Sequence, residues 1–219
     1  MLILALEGAL ARCSAALLAD GQVVAAAQHD APRGHPAALP PLAEAVLKQA
    51  QTAPEALAAI AVGVGPGGFT GLRTAIALAE GLAQALGKPL IGVTTGEALV
   101  AELAEEERAR TTIWSVLDQR QGRVLLEVFA PGAALPAAPQ ILALEALPDP
   151  TGALLLVGDA AEAAAAALHL RGYAAEARPP ALPHAAAIAR VAQRRLAGSL
   201  PPRGAAPLYA EPPALRAPG

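Results

Sequence analysis

The chain has 219 residues, of which 54% are hydrophobic, 16% are charged and only 2% are aromatic. This much apolar material can bury a core, which excludes an intrinsically disordered chain. The formal net charge of −3 leaves no broad basic surface for nucleic acid, and so few aromatic side chains disfavour the binding of single strands by stacking. We therefore expect a globular protein that contacts RNA only locally or through a partner.

The cysteine count and the apolar stretches bear on the cellular compartment. The single cysteine, Cys13, excludes an intrachain disulfide and a four-cysteine zinc site. The first residues lack the basic region of a signal peptide, and Glu7 interrupts their apolar run. One of the two longest uncharged stretches, residues 56–72, contains Pro66 and five glycines, which makes a poor membrane helix. We expect a cytoplasmic protein without a membrane segment.

The first half of the chain predicts three strands followed by alternating helices and strands. The dipeptide Asp20-Gly21 indicates a hairpin turn between the second and third strands. Because Pro40 and Pro41 fit only the first turn of a helix, we expect the first helix to begin near Leu39. The predicted elements are strands 2–6, 13–19 and 22–28, the first helix, strand 59–64, helix 70–86, strand 90–93 and helix 94–108.

The second half predicts a similar order, with strands 112–117, 123–129, 154–157 and 174–177, a Pro-rich irregular stretch 136–150, and helices 160–170 and 183–196. In both halves a turn glycine follows a strand-end acid by 14 residues, from Glu7 to Gly21 and from Asp118 to Gly132. This match indicates a duplicated lobe with a cleft between the acidic strand ends. The predicted division is an N-terminal lobe 1–108, a C-terminal lobe 109–199 and a Pro-rich tail 200–219.

The most informative segment is the Gly-rich stretch that runs from residue 63 to Arg73. Its glycines match the dinucleotide-binding pattern G-x-G-x-x-G, but the acid expected about 20 residues later is missing. They also match part of a P-loop, but Phe69 stands where the lysine must be. A third interpretation is a tight connector whose glycines permit positive φ, which leaves Arg73 without an explanation.

Residues 65–73, GPGGFTGLR, resemble the GPGSFTGLR signature of the TsaB (YeaZ) family, with Gly68 in place of the usual serine. Other segments resemble that family in the same order along the chain: LALE (4–7), ARCSAAL (11–17), RGH (33–35), PLIGVT (89–94), DQRQGRV (118–124), VGD (157–159), and PLY (207–209) followed by Arg216. The resemblance covers almost the whole chain.

The resemblance implies an α/β protein with the two-lobed actin-like, Hsp70-like ATPase fold, also called the ASKHA or RNase H-like fold. It implies a non-catalytic scaffold and dimerisation subunit that works with a TsaD-type paralogue and a TsaE-type ATPase. The complex transfers a threonylcarbamoyl group onto N6 of adenosine 37 in tRNA. The resemblance also implies a homodimer when the protein is alone, contact with tRNA only within the complex, and no cofactor of its own.

Two departures from active relatives favour a subunit without catalytic or metal-binding residues. The first strand reads Glu7-Gly8-Ala9 where the family resemblance leads us to expect Asp-Thr-Ser. Thr95 and Leu99 stand where TsaD-like paralogues carry metal-binding histidines, and neither side chain replaces an imidazole. Glu7 and Asp118 are thus interpreted as a vestigial cleft, with Asp118 alternatively a turn former. The competing hypothesis is a stand-alone actin-like small-molecule kinase or a metal-dependent hydrolase.

The predicted partner surface combines the Gly-rich loop with the two helices that flank it. Its residues are Leu39, Leu42, Val46, Gly65, Gly67, Gly68, Phe69, Thr70, Gly71, Leu72, Arg73, Ala75, Ile76 and Ala79. Ala75 and Ala79, at i and i+4, would permit close contact with a helix of the partner. The alternative is that these apolar side chains all pack inside the chain. The interface hypothesis predicts that Leu72→Asp or Ala79→Arg dissolves the complex and leaves the monomer folded.

Overall fold

The computed structural model describes residues 1–179 and 181–209, which form ten β-strands and six α-helices. The first half contains β1 (Leu2–Leu10), β2 (Arg12–Ala19), β3 (Gln22–Asp30), α1 (His35–Gln49), β4 (Ala59–Gly63), α2 (Phe69–Leu86), β5 (Leu90–Val93), α3 (Thr95–Ala101) and α4 (Glu105–Arg110). The second half contains β6 (Thr112–Asp118), β7 (Arg123–Phe129), β8 (Gln140–Ala143), β9 (Leu154–Val157), α5 (Ala161–Leu170), β10 (Ala175–Ala177) and α6 (Ala185–Leu196).

The two halves of the chain build two sheets with one shared topology. The strand order is β3-β2-β1-β4-β5 in the first sheet and β8-β7-β6-β9-β10 in the second. In each sheet the first three strands pair antiparallel and the last two join in parallel. Each strand of the first sheet therefore has a counterpart five strands later.

The first sheet is covered on both faces, which explains why its central strands are almost entirely apolar. Side chains alternate along β1, so Leu4 and Leu6 join the core beneath α1 and α2. Ile3 and Ala5 point to the opposite face and join the core beneath α6. The hairpin between β2 and β3 turns at Asp20 and Gly21, both with positive φ, as the sequence predicts.

The last helix, α6, returns to the first sheet, where it packs against β1, β2, β4 and β5. It also packs against α3, which in turn contacts β6 of the second sheet. The two helices therefore join the halves of the chain. The predicted division into lobes at residue 109 stays a prediction. Helix α6, which belongs to the second half of the chain, packs on the sheet of the first half.

The structure corrects three predicted elements. β8 and a short 3-10 turn lie in the stretch expected to be irregular. Helix α1 begins at His35, four residues before the predicted start, because Pro36 occupies its first turn and the exposed Pro40 and Pro41 are tolerated further along. The predicted helix 94–108 is two helices, because Leu103 between them turns into the core.

Candidate partner-binding surface

The glycines of the loop between β4 and α2 allow close backbone contact with other segments. A Cβ atom at residue 67 would lie 2.3 Å from the carbonyl oxygen of Ala9, and one at residue 71 would lie 2.2 Å from that of Gly8. Gly65 has a φ of +91° and faces the carbonyl oxygen of Leu208. The loop therefore needs glycine for packing, which supports the tight-connector interpretation.

Hydrogen bonds fix this loop to its neighbours. The Gly68 amide donates to the carbonyl oxygen of Ala9 at 2.6 Å. Thr95 donates its amide to the Gly65 carbonyl at 2.9 Å and its hydroxyl to the Pro66 carbonyl at 2.8 Å. The Gly68 amide at the start of α2 is thus used inside the chain, which argues against a phosphate cradle at this position.

Most of the apolar residues predicted to bind a partner are buried inside the chain itself. Leu39, Val46, Leu72, Ala75 and Ala79 have no exposed surface, and Ile76 is 6% exposed. All six belong to the core beneath α1 and α2. Their burial against the first sheet favours the alternative that they pack inside the chain, and their contact with a partner stays a prediction.

The predicted residues nearer the start of α2 are more exposed to solvent. Gly68, Phe69, Thr70 and Arg73 are exposed, Gly67, Gly71 and Leu42 are partly exposed, and Gly65 is buried. Further along the same helix, Ala77 and Gly81 are exposed, and nothing lies within 4 Å of a Cβ built at Gly81. We call the set Phe69, Thr70, Arg73, Ala77 and Gly81 the outer face of α2.

Phe69 and Arg73 form a cluster with Tyr209 from the C-terminal segment. Phe69 is 52% exposed, a high value for an aromatic side chain. The Arg73 guanidinium carbon lies 3.9 Å from the centre of the Phe69 ring and 5.7 Å from that of Tyr209. Arg73 Nε donates to the Tyr209 hydroxyl at 2.8 Å, and the two rings stack with their centres 6.0 Å apart. Tyr209 is the partner that the sequence alone did not assign to Arg73.

Glu7 lies at the bulge of β1 and is completely buried. One carboxylate oxygen accepts the amides of Gly8 at 2.8 Å and Ala9 at 2.5 Å, and the other has no hydrogen-bond partner in the described part of the chain. Burial raises the pKa of Glu7 to about 7, although the two amides oppose the shift. The carboxyl group is therefore enclosed and does not face an open cleft.

Asp118 is exposed and closes a turn. Its carboxylate accepts the Arg120 amide at 2.8 Å, and its own amide donates to Asp159 Oδ1 at 2.9 Å. Residues 120–122 all have positive φ, so the carboxylate stabilises an otherwise costly turn. Of the two interpretations, this geometry favours the turn former.

A buried polar cluster between the two sheets was not predicted. Arg195 of α6 pairs with Glu97 of α3 at 2.5 Å, and both side chains are almost fully buried. Glu127 of β7 lies opposite Ser115 of β6, and a Cβ at residue 96 would meet Glu127 Oε2 at 2.0 Å. Burial raises the pKa of Glu127 to about 7, and the charge of Glu97 adds to the shift. Of the residues in this cluster, only Glu97 belongs to a recognisable sequence pattern, the capping box that it forms with Thr94.

Within residues 1–179 and 181–209, no group of three or more His, Cys, Asp or Glu side chains could hold a metal ion. The same part of the chain contains no helix that is long and apolar enough to span a membrane. Arg216, which belongs to the resemblance, lies outside the described residues.

The chain is similar to two curated proteins with the same description, tRNA threonylcarbamoyladenosine biosynthesis protein TsaB. It is 37% identical to the protein of Escherichia coli K12 over 124 residues, which cover 57% of this chain and 53% of that protein. It is 31% identical to the protein of Bacillus subtilis 168 over 129 residues, 59% and 55% of the two chains. The match thus spans about half the length of these relatives.

Solved structures extend the similarity over nearly the whole chain. A Pseudomonas aeruginosa protein described as similar to peptidase YEAZ superposes with a TM-score of 0.78 at 26% identity, covering 96% of this chain and 99% of that one. The ethanolamine utilization protein EutJ of Carboxydothermus hydrogenoformans superposes with a TM-score of 0.54 at 13% identity, covering 87% and 89%. At this identity EutJ supports the fold alone, which is the actin-like, Hsp70-like ATPase fold expected from the resemblance.

A family model described as TsaD, tRNA N6-adenosine threonylcarbamoyltransferase, matches residues 25–126. This stretch contains the Gly-rich loop, α1 and α2. The curated relatives carry the TsaB description and match over about half of their length, and the solved structure described as similar to YEAZ matches over 99% of its chain. The chain is therefore similar to proteins of the TsaB (YeaZ) family, over about half the length of the curated relatives and nearly all of the solved structure.

Proposed function

We propose that this chain is a non-catalytic subunit of the machinery that makes threonylcarbamoyladenosine in tRNA, and that it binds a TsaD-type transferase. The description of its two curated relatives supports this role. The TsaD family model matches the chain itself, so a TsaD-type partner of the same fold would present an equivalent surface, as the two copies of a symmetric dimer do. A TsaE-type ATPase completes the proposed complex.

The observation that carries the proposal is the outer face of α2. One side of this helix packs against the first sheet, while the other side exposes Phe69, Arg73, Ala77 and Gly81. An exposed glycine inside a helix lowers the stability of the helix by about 1 kcal/mol relative to alanine. At residue 81 no neighbouring segment of the described chain requires a glycine, because nothing lies within 4 Å of a Cβ built there. Small residues there permit the close approach of another helix. The partner would dock on this face and on the neighbouring exposed part of α1.

The enclosed position of Glu7 supports a non-catalytic role. A catalytic carboxylate must reach substrate or a metal-bound water, and Glu7 has no exposed surface. Its bonded oxygen is held by two backbone amides of its own strand. In the proposed complex, the transferase supplies the reaction, and tRNA meets this chain only within the assembly. When the partner is absent, two copies of this chain would pair through the same face.

The test is the formation of threonylcarbamoyladenosine on tRNA by TsaD, TsaE and the adenylate donor, with and without this chain. We expect product only when the chain is present. Equal product in its absence would contradict the proposal. The kinase or hydrolase hypothesis would then gain support if Mg-ATP raised the melting temperature of the isolated chain, since a ligand of the native state must do so.

A matched pair of variants locates the surface in the same assay. Ala77→Arg places a long charged side chain on the outer face of α2, and Ala166→Arg does the same on exposed α5 of the second sheet. We expect both variants to keep their melting temperature, and only Ala77→Arg to lose the partner and the product. Loss of binding by Ala166→Arg alone would indicate that the partner binds on the side of the second sheet.

A further inference from the structure

The described C-terminal segment, residues 203–209, is fixed to the first sheet. The Gly92 amide of β5 donates to the Arg203 carbonyl at 2.9 Å, and the Leu208 amide donates to the Val64 carbonyl at 2.7 Å. Ala205 between them is buried in the core beneath α1 and α2. These anchors place Tyr209 beside the start of α2. We call residues 203–209 the strap.

The strap places Tyr209 in contact with Arg73. Its last described residue, Tyr209, accepts a hydrogen bond from Arg73 Nε at 2.8 Å and stacks beside Phe69. The guanidinium lies over the Phe69 ring at 3.9 Å. A hydrogen bond at Nε together with a ring beneath the plane restricts an otherwise flexible side chain, which reduces the entropy lost when the terminal nitrogens bind.

The charge of Arg73 has no counter-ion in the described residues, where no carboxylate oxygen lies within 4 Å of it. On α1, by contrast, the exposed Glu44 and Lys48 form an ion pair with each other. We propose that Tyr209 is a positioning residue that holds Arg73 for a carboxylate of the partner protein. This inference rests on the proposed function, because the partner is the protein that docks on the outer face of α2.

A protein carboxylate fits this cluster better than an RNA phosphate does. Arg73 is a single cation beside an exposed aromatic ring, and Glu80 follows two turns later on the same helix. RNA binding requires several basic groups, whereas this chain has a net charge of −3. A planar guanidinium with its ring support is suited to bidentate pairing with one carboxylate at a partly apolar interface.

The test is a double-mutant cycle on the affinity of the full chain for its TsaD-type partner. We expect Arg73→Ala to weaken binding at least tenfold, as truncation of an interface charge pair does. Tyr209→Phe keeps the ring and removes the hydroxyl, and we expect it to weaken binding about threefold to tenfold. The double variant should bind no more weakly than Arg73→Ala, because the hydroxyl acts through Arg73.

Tyr173→Phe is the matched control, since Tyr173 lies beside Arg171 in a similar pair on the second sheet. It should leave the affinity unchanged, and all variants should keep their melting temperature. If the fold-losses of affinity of the two single variants multiply in the double variant, Tyr209 does not act through Arg73 and the inference is overturned. A salt-dependent affinity of the isolated chain for tRNA that Arg73→Ala removes would also overturn the inference, since the occupant would then be a phosphate.

The outcomes also separate this inference from the proposed function. Ala77→Arg could abolish binding while Arg73→Ala and Tyr209→Phe bind like the wild type. That result would support the outer face of α2 as the binding surface and contradict the positioning role of Tyr209. If the wild-type chain does not bind the transferase at all, the proposed function fails and the inference fails with it.

Discussion

The carbonyl oxygen of Ala9 occupies the space in which a side chain at residue 67 would begin. The separation from a Cβ there would be 2.3 Å, and the atom in the way belongs to the backbone. A backbone atom cannot rotate aside as a flexible side chain can. The contact between the Gly-rich loop and the β1–β2 turn therefore depends on a glycine at this position.

We expect Gly67→Ala to lower the free energy of unfolding by about 2–3 kcal/mol, because the loop must move away from Ala9. The control is Gly81→Ala, which is helical, exposed and open. That substitution should raise the free energy of unfolding by about 0.5–1 kcal/mol through helix propensity. Urea denaturation of both variants measures the difference, and equal effects would contradict the assigned role of Gly67.

At the scale of the element, α2 has two faces with opposite requirements. Its inner face contributes Leu72, Ala75 and Ala79 to the core, and its outer face carries Phe69 and Arg73. Leu72→Asp would bury a charge without a partner and unfold the monomer, so it cannot report on an interface. Variants that test partner binding must be placed on the outer face.

A milder substitution tests the burial of the inner face. We expect Leu72→Ala to lower the free energy of unfolding by about 2–5 kcal/mol, because it removes a fully buried side chain and leaves a cavity. Leu170→Ala, at the end of α5, removes a leucine that is 91% exposed and should change stability by less than about 0.5 kcal/mol. A small loss at Leu72 would show that this face is not packed as described.

Much of the element order could be predicted from the sequence, since apolar runs and turn residues locate β5, β7 and β9 to the residue. The missed strand, β8, is a short edge strand with partly exposed side chains, so it lacks both a continuous apolar run and a clear alternation. The start of α1 was misplaced because prolines inside a helix are tolerated on its exposed side.

The candidate site could be predicted only in part. The motif located the loop and Arg73, but the helix sequence could not tell which apolar residues face the sheet. Apolar residues such as Ala77 and Ala85 also lie on the exposed side of α2, so hydrophobicity alone does not separate its buried face from its exposed face. The pairing of Arg73 with Tyr209 joins residues 136 positions apart, and a contact at such separation depends on the tertiary fold.

At the scale of the whole molecule, two almost fully buried carboxyl groups in the described part of the chain have a strongly raised pKa. Glu7 lies in the first sheet and Glu127 in the second, and burial raises the pKa of each to about 7. Between the ordinary value of 4.5 and about 7, the folded chain therefore binds protons that the unfolded chain has released. Folding is favoured at the acidic end of this window, and that advantage is lost as the pH rises through 7.

We expect the free energy of unfolding to be higher at pH 5 than at pH 8, with each group contributing about 2–3 kcal/mol to the difference. Glu7→Gln and Glu127→Gln imitate the protonated acid and should each reduce the dependence. Glu80→Gln, on the exposed side of α2, is the control and should leave it unchanged. Stability that rises from pH 5 to pH 8 would contradict the assigned environments.

The anchoring of the strap has a consequence for the order of events during synthesis. The outer strand of the first sheet, β5, is complete at Val93, but the Gly92 amide finds its acceptor only in Arg203. At 5–20 residues per second, the ribosome needs on the order of ten seconds to make the intervening chain. Until then, the face that α6 covers and the edge that the strap covers are both open. We therefore expect the nascent first half to expose apolar surface and a strand edge that the later residues cover.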